Sequence, residues 1–132
     1  MIPARRVVAA SPEACWDLLV SLDRWPDWGP SVRAAEPAGG RVRAGLRGRV
    51  HTALGVWVPF EITAFEPLRG GVGAWSWRVA GVPATTHTVR PHPAGATVTF
   101  GVPTWAAPYA LVCQAALARI ARRVEASPGA GG

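Results

Sequence analysis

The stretch that decides the fold reads Ala107-Pro-Tyr-Ala-Leu-Val-Cys-Gln-Ala-Ala-Leu-Ala-Arg-Ile-Ala-Arg-Arg-Val-Glu125. Its apolar side chains recur at the three- and four-residue spacing of one helical face; they are Tyr109, Val112, Cys113, Ala116, Leu117, Ile120 and Val124. Arg122 and Arg123 stand away from that face, near the C-terminal end, where positive charge favours the helix dipole. The pattern predicts one helix over Ala107–Glu125 that needs an apolar surface of its own length to pack against.

Upstream of this helix, residues 31–102 carry strand signals. Apolar and polar residues alternate in several runs, and breaks rich in Gly and Pro separate these runs. The predicted strands are Val32–Glu36, Arg41–Thr52, Trp57–Phe65, Ala74–Ala80, Thr85–Arg90 and Thr97–Val102. The later breaks are short, so we expect neighbouring strands to pair as antiparallel hairpins. Gly45 and Gly48 suggest bends within the second of these strands.

The N-terminal part of the chain predicts one strand and two helices. Arg6–Ala10 forms the strand, and Ser11-Pro12-Glu13 has the cap, the proline and the acidic residue of a helix start. Leu22–Trp25 forms a second short helix, which we expect Pro26 to end, so that Asp27–Pro30 is a turn. These elements predict an α+β fold in which the long C-terminal helix lies across one face of an antiparallel sheet.

Three stretches resemble the START-related helix-grip superfamily, also called SRPBCC, and within it the polyketide cyclase/dehydrase and lipid-transport type. They are Val8–Trp16 with Leu22–Trp28, then Phe60–Pro67, then His87–Val89 leading through Gly95 to Val98–Phe100. The resemblance implies a helix-grip fold, in which a curved antiparallel sheet wraps around the long C-terminal helix and two short helices follow the first strand. It also implies a cavity for lipids, hormones or polyketides. Some relatives cyclise or aromatise polyketides, and the family has no invariant catalytic residue to carry over.

The chain has 132 residues, of which 49% are hydrophobic, as suits one domain with its own core. We expect this domain over residues 1–126 and a disordered tail over residues 127–132. No segment has the pattern of a secretory signal, and no run reaches the ~20 apolar residues of a membrane span. Cys15, Cys113 and the three histidines lack metal-ligand spacing. We therefore predict a cytoplasmic protein with reduced thiols, no integral membrane insertion, no metal and no cofactor.

The net charge is +6, and every basic side chain other than histidine is an arginine. The densest cluster consists of Arg41, Arg43, Arg47 and Arg49. These residues alternate with apolar ones, as in a strand with one solvated face. No aromatic residue lies among them to stack on nucleotide bases. We therefore interpret the cluster as solvated sheet surface and predict no nucleic-acid partner.

Alternation along the strands separates an inner face of the sheet from an outer one. The aromatic residues and the histidine that this parity places inside are Trp75, Trp77, His87 and Phe100. Tyr109 and Cys113 lie on the apolar stripe of the opposing helix. Large rings supply apolar contact area at little conformational cost. We predict that these six residues line a ligand cavity of roughly 300–1,000 Å³.

His87 and Tyr109 are the candidate catalytic residues. An imidazole on the inner face could act as a general acid or base toward a bound enol or ketone, and Tyr109 could donate a hydrogen bond to a ligand oxygen. The alternative is a buried, neutral His87 that bonds a backbone carbonyl or Tyr109. Cys113 is interpreted as a packing residue, because no base adjacent in sequence would activate its thiol.

Three functions fit this sequence. The first is a module, monomeric or homodimeric, that binds a small hydrophobic or aromatic molecule of lipid or polyketide type in the cavity. The second is a polyketide cyclase or aromatase that uses the same cavity. The third is a structural or interaction domain whose own side chains fill the cavity. Two polar candidates in an otherwise apolar cavity favour binding over catalysis, and no motif identifies the ligand.

Overall fold

Seven strands form one antiparallel sheet in the computed structural model, which describes residues 1–125. The strands are β1 (Ile2–Val8), β2 (Val32–Glu36), β3 (Arg47–Thr52), β4 (Trp57–Arg69), β5 (Val72–Val79), β6 (Val82–His92) and β7 (Gly95–Val102). Their order across the sheet is β1-β7-β6-β5-β4-β3-β2. Strands β2 to β7 pair with their neighbours in sequence, so that β2 forms one edge of the sheet. β1 forms the other edge by pairing with β7.

The helices lie against one face of this sheet. They are α1 (Pro12–Val20), α2 (Trp25–Trp28) and α3 (Ala110–Glu125), with 3₁₀ turns at Leu22–Arg24 and Thr104–Tyr109. The predicted α+β helix-grip fold is confirmed. The predicted tail at residues 127–132 lies outside the described residues, and the domain boundary at residue 126 stays a prediction.

The long helix begins three residues later than the sequence predicted. Pro108 lacks an N–H group for helical hydrogen bonding, and Ala106 has φ −109° and ψ 30°, outside the helical region. Residues Thr104–Tyr109 therefore form a separate 3₁₀ turn, and α3 starts at Ala110. At its other end, the Ala9 N–H donates a hydrogen bond to the Glu125 carboxylate at 2.9 Å.

The predicted strand Arg41–Thr52 is wrong in its first half. The Val42 N–H donates to the Val20 carbonyl at 2.9 Å, which ties this segment to the end of α1 instead of the sheet. Gly45 then turns the chain with a φ of +75°, and the strand starts only at Arg47. Gly48 lies within β3, opposite Phe60 of β4. The position requires glycine, because a Cβ there would collide with the Glu36 carbonyl and the Phe60 ring.

Other strands are longer than predicted because their turns are tighter. β5 and β6 meet at Ala80-Gly81, and β6 and β7 meet at Pro93-Ala94. β4 continues to Arg69 instead of ending at Phe65, since Pro67 falls in an irregularity of the β4–β5 register, where a missing N–H is tolerated.

Proline also starts a helix where the sequence predicted a turn. Pro26 occupies the first turn of α2, where its missing N–H has no helical partner to lose. The prediction that Asp27–Pro30 forms a turn is therefore wrong at its beginning. As a result, Trp25 and Trp28 sit on one short helix, and both are buried.

The inner faces of the sheet agree with the predicted parity. Thr85, His87 and Val89 of β6 are buried, and Phe100 of β7 packs among them. α3 covers this face with one buried stripe, whose members are Cys113, Ala116, Leu117, Ile120, Ala121 and Val124. The core therefore lies between the sheet and the three helices.

Two leucines of α3 give a matched test of this packing. Leu117 is fully buried, whereas Leu111 is 78% exposed on the same helix. Leu117→Ala should lower the free energy of unfolding by about 2–5 kcal/mol, because it leaves a cavity in the core. Leu111→Ala should change it by less than about 0.5 kcal/mol. Urea unfolding measures both values, and equal effects would contradict the assigned face of α3.

Candidate functional site

A cavity of about 500 Å³ lies between the sheet and α3, and it reaches the surface at the end of the sheet where α3 begins. All six residues predicted to line it contribute to its wall; they are Trp75, Trp77, His87, Phe100, Tyr109 and Cys113. The wall is overwhelmingly apolar, as in many small-molecule sites. The binding role of these residues stays a prediction.

Three tryptophans of the wall were missed by the sequence analysis: Trp25, Trp28 and Trp105. Trp25 and Trp28 belong to α2, where Pro26 was interpreted as the end of a helix. Trp105 belongs to the 3₁₀ turn Thr104–Tyr109. The sequence had predicted a loop up to residue 106 and the start of the long helix at Ala107. The alternation of the strands carries no information about these segments, so their rings could only have been found from the unusual number of tryptophans.

A stack of three rings joins α2 to the sheet beside the cavity. The Trp25 and Trp75 rings are almost parallel, at 8° and with centroids 5.6 Å apart. The Trp75 ring also stacks on His87, with centroids 3.7 Å apart and planes at 19°. Two indole N–H groups anchor α2 to α1, because Trp25 donates to the Leu19 carbonyl at 2.8 Å and Trp28 to the Leu18 carbonyl at 3.0 Å.

Both ring nitrogens of His87 have partners inside the protein. Nδ1 lies 3.3 Å from the Trp75 carbonyl, which only accepts, so Nδ1 carries the proton. Nε2 lies 3.1 Å from the Thr85 hydroxyl and accepts from it. The Thr85 oxygen in turn accepts the Trp77 indole N–H at 3.2 Å. This chain of hydrogen bonds corresponds to the buried, neutral alternative, with a backbone carbonyl and Thr85 as partners instead of Tyr109.

Burial lowers the pKa of His87 to about 3, and the hydrogen bond to the Trp75 carbonyl opposes this shift only in part. The imidazole is therefore neutral at physiological pH. Since its Nε2 lone pair already accepts the Thr85 hydroxyl, His87 is poorly placed to take a proton from a ligand. The geometry favours a role in positioning Trp75 and Trp77.

Tyr109 lies at the opening of the cavity, away from His87. Its hydroxyl is 2.9 Å from the Ser31 hydroxyl, and this contact joins the 3₁₀ turn before α3 to the loop before β2. Burial, the largest cause, raises the pKa of the phenol, so it remains protonated. Cys113 is buried, and burial raises the pKa of its thiol to about 11. Neither group is activated as a base or nucleophile.

One polar atom in the wall residues has no protein partner. Trp75 Nε1 is the only fully buried side-chain nitrogen or oxygen without a hydrogen bond among residues 1–125. The indoles of Trp25, Trp28 and Trp77 all donate to protein acceptors. A buried N–H without a partner lowers the stability of the folded protein. A ligand with a hydrogen-bond acceptor near Trp75 Nε1 would remove this penalty.

The described part of the chain contains neither a metal-binding cluster nor a helical membrane span. No group of three or more His, Cys, Asp or Glu side chains in residues 1–125 could hold a metal ion. Cys15 and Cys113 are both buried and free. No helix in the same range is long and apolar enough to cross a membrane.

The family model described as polyketide cyclase / dehydrase and lipid transport matches residues 2–125. The chain belongs to this family. The match extends from the first strand to the end of α3, so the whole cavity lies within the part that the polyketide cyclase/dehydrase and lipid transport family shares. A comparison with curated proteins finds no match.

Solved structures of other proteins share this fold. The protein CV1439 from Chromobacterium violaceum has a TM-score of 0.69 at 21% identity, over 94% of this chain and 96% of that chain. MLL2253 from Mesorhizobium loti has a TM-score of 0.72 at 14% identity, over 96% and 97%. An AHSA1-like protein from Aeromonas hydrophila has a TM-score of 0.66 at 18% identity, over 95% and 92%. Identities this low establish the shared fold alone.

The lowered pKa of His87 predicts a specific loss of stability in acid. The unfolded chain takes up the proton near the ordinary value of 6.5, whereas the folded protein does so only near 3. His87 therefore makes its full contribution to the free energy of unfolding above about pH 6.5. Between pH 6.5 and about pH 3, this contribution decreases by about 1.4 kcal/mol for each pH unit. Between about pH 7.5 and about pH 5 the wild type should lose roughly 2 kcal/mol through His87.

The matched variant for this measurement is His87→Gln, which cannot titrate. It should be less stable than the wild type at neutral pH, because the bonds to Thr85 and the Trp75 carbonyl are disturbed. Its stability should nevertheless depend less steeply on pH. Urea unfolding at both pH values tests this, and equal slopes for the two proteins would show that His87 is not a buried neutral group.

Proposed function

We propose that the cavity binds a small apolar or aromatic molecule of lipid or polyketide type, in the manner of a carrier or sensor. The observation that carries this proposal is an open, aromatic-walled cavity of about 500 Å³ whose one histidine is already hydrogen-bonded within the protein. A volume of this size falls within the roughly 300–1,000 Å³ of common small-molecule sites. Family membership supports the same class of ligand.

The wall also supports a preference among apolar ligands. Trp77 is half-buried and its indole N–H is held by Thr85, so its ring is oriented before a ligand arrives. Edge-on contacts to Trp25 and Trp75 restrain it further. A pre-oriented ring favours flat ligands, because little side-chain freedom is lost on binding. We infer that planar, aromatic ligands fit better than flexible chains.

The cyclase alternative is not better supported. A cyclase needs a group that moves protons at the substrate. Within residues 1–125, His87 is hydrogen-bonded at both nitrogens, the Tyr109 phenol has a raised pKa, and Cys113 holds its proton to about pH 11. The third possibility, a cavity filled by its own side chains, has less support still, since a large open volume remains.

The remaining expectations stay predictions: a cytoplasmic location, a monomer or homodimer, and no nucleic-acid partner. The last one has support from the arginine cluster. Arg47 pairs with Glu61 at 3.0 Å, Arg49 with Glu36 at 2.8 Å, and Arg41 with Asp17 at 2.9 Å. Charge that is neutralised within the protein contributes little to phosphate binding.

The proposal is tested with N-phenyl-1-naphthylamine, a neutral aromatic probe that fluoresces in apolar surroundings. Val58 of β4 lines the cavity, so Val58→Phe should reduce its volume and weaken probe binding by about tenfold, equivalent to ~1.4 kcal/mol. Trp77→Ala should weaken binding by a similar factor through lost ring contact. Val7→Phe, on an exposed strand position outside the cavity, is the matched control and should bind like the wild type.

Circular dichroism and urea unfolding establish that each variant is folded before titration. A wild type that does not bind the probe would count against the proposal. So would folded Val58→Phe and Trp77→Ala variants that bind it as tightly as Val7→Phe does.

A further inference from the structure

Large exposed apolar side chains gather at the end of the sheet where the cavity opens. We call this set the apolar rim; its members are Leu54, Val56, Val82, Trp105, Tyr109 and Leu111. Leu54 is 91% exposed and Trp105 is 68% exposed. They come from the β3–β4 turn, the start of β6, the 3₁₀ turn before α3 and the first turn of α3. At the opposite end of the sheet, only Val7 and Val72 are large, apolar and exposed within residues 1–125.

The apolar rim is continuous with the cavity. Leu54, Val56, Trp105 and Tyr109 are exposed and also line the cavity wall. A partner that covers the rim therefore covers the opening as well. Monomeric proteins rarely expose contiguous apolar patches of this kind without a binding function.

The segments that carry the rim contain only positive charge. The nearest carboxylate in the sheet register, Glu61, lies opposite Arg78 and pairs with Arg47. Residues 29–33, 51–58, 78–84 and 102–112, which form this end of the molecule, contain no Asp or Glu. Arg33 and Arg78 are exposed in these segments, beside Val32 and Val79 at the ends of β2 and β5. No ion pair to either arginine occurs within residues 1–125, whereas Arg41, Arg47 and Arg49 all pair with carboxylates.

We propose that this end of the protein docks on an anionic lipid surface. The apolar rim enters the interfacial layer of the bilayer, and Arg33 and Arg78 contact the negative headgroups. Apolar side chains flanked by unpaired arginines are the combination that holds peripheral proteins at such surfaces. A second copy of the chain fits less well, because two rims face to face would oppose like charges. The proposal goes beyond ligand binding in the cavity and does not require it.

Vesicle co-sedimentation tests the proposal directly. The wild type should bind vesicles of mixed phosphatidylcholine and phosphatidylglycerol about tenfold more tightly than vesicles of phosphatidylcholine alone. Leu54→Ser combined with Trp105→Ser should weaken binding to the mixed vesicles by at least about tenfold, since it removes two large exposed side chains of the rim. Val7→Ser combined with Val72→Ser is the matched control from the opposite end and should bind like the wild type.

The arginines separate the contribution of charge from that of the cavity. Arg33→Ser combined with Arg78→Ser should abolish the preference for phosphatidylglycerol while leaving N-phenyl-1-naphthylamine binding unchanged without vesicles. Failure of the wild type to bind mixed vesicles would overturn docking and would leave the cavity proposal standing. Equal loss in the rim and control variants would also overturn it. So would light scattering that shows a dimer which the Leu54 and Trp105 substitutions dissociate.

Discussion

The stack of Trp25, Trp75 and His87 is the contact on which the site depends. It holds α2 against β5 and β6, with ring centroids 5.6 and 3.7 Å apart along the stack. Aromatic pairs of this kind contribute about 0.5–1.5 kcal/mol each beyond their buried area. Because Trp25 also donates to the Leu19 carbonyl, the stack extends to α1. The short helices thereby occupy one part of the concave face, and an open cavity remains beneath the start of α3.

The same stack determines the chemistry of the cavity. His87 is buried within this cluster of rings, and that burial keeps the imidazole neutral. Its two nitrogens are then used to hold the Trp75 carbonyl and the Thr85 hydroxyl, which in turn orients Trp77. A residue that would be the natural choice for a catalytic base instead organises an aromatic wall. This is why the geometry favours binding over catalysis.

Sequence reasoning succeeded where one periodic pattern governs a whole element. The stripe of α3 and the alternation in β6 correctly assign Cys113 and His87 to inner faces. It failed where single residues override a pattern. Because of Pro108, α3 begins at Ala110 and not at Ala107. The hydrogen bond from the Val42 N–H to the Val20 carbonyl keeps the segment after Arg41 out of the sheet. Trp25 was missed because its burial arises from tertiary contact with Trp75, which no local spacing encodes.

The central claim is that an apolar ligand occupies the cavity beside this stack, and the seven tryptophans allow it to be measured directly. In a nuclear magnetic resonance titration of protein with ¹⁵N-labelled tryptophan, the indole signals respond to a bound aromatic ring. With N-phenyl-1-naphthylamine, the signals of the cavity tryptophans should shift; these are Trp25, Trp28, Trp75, Trp77 and Trp105. Trp16 and Trp57 do not line the cavity, so their signals should stay unchanged. Shifts confined to Trp16 or Trp57, or no shift at saturating probe, would contradict the account.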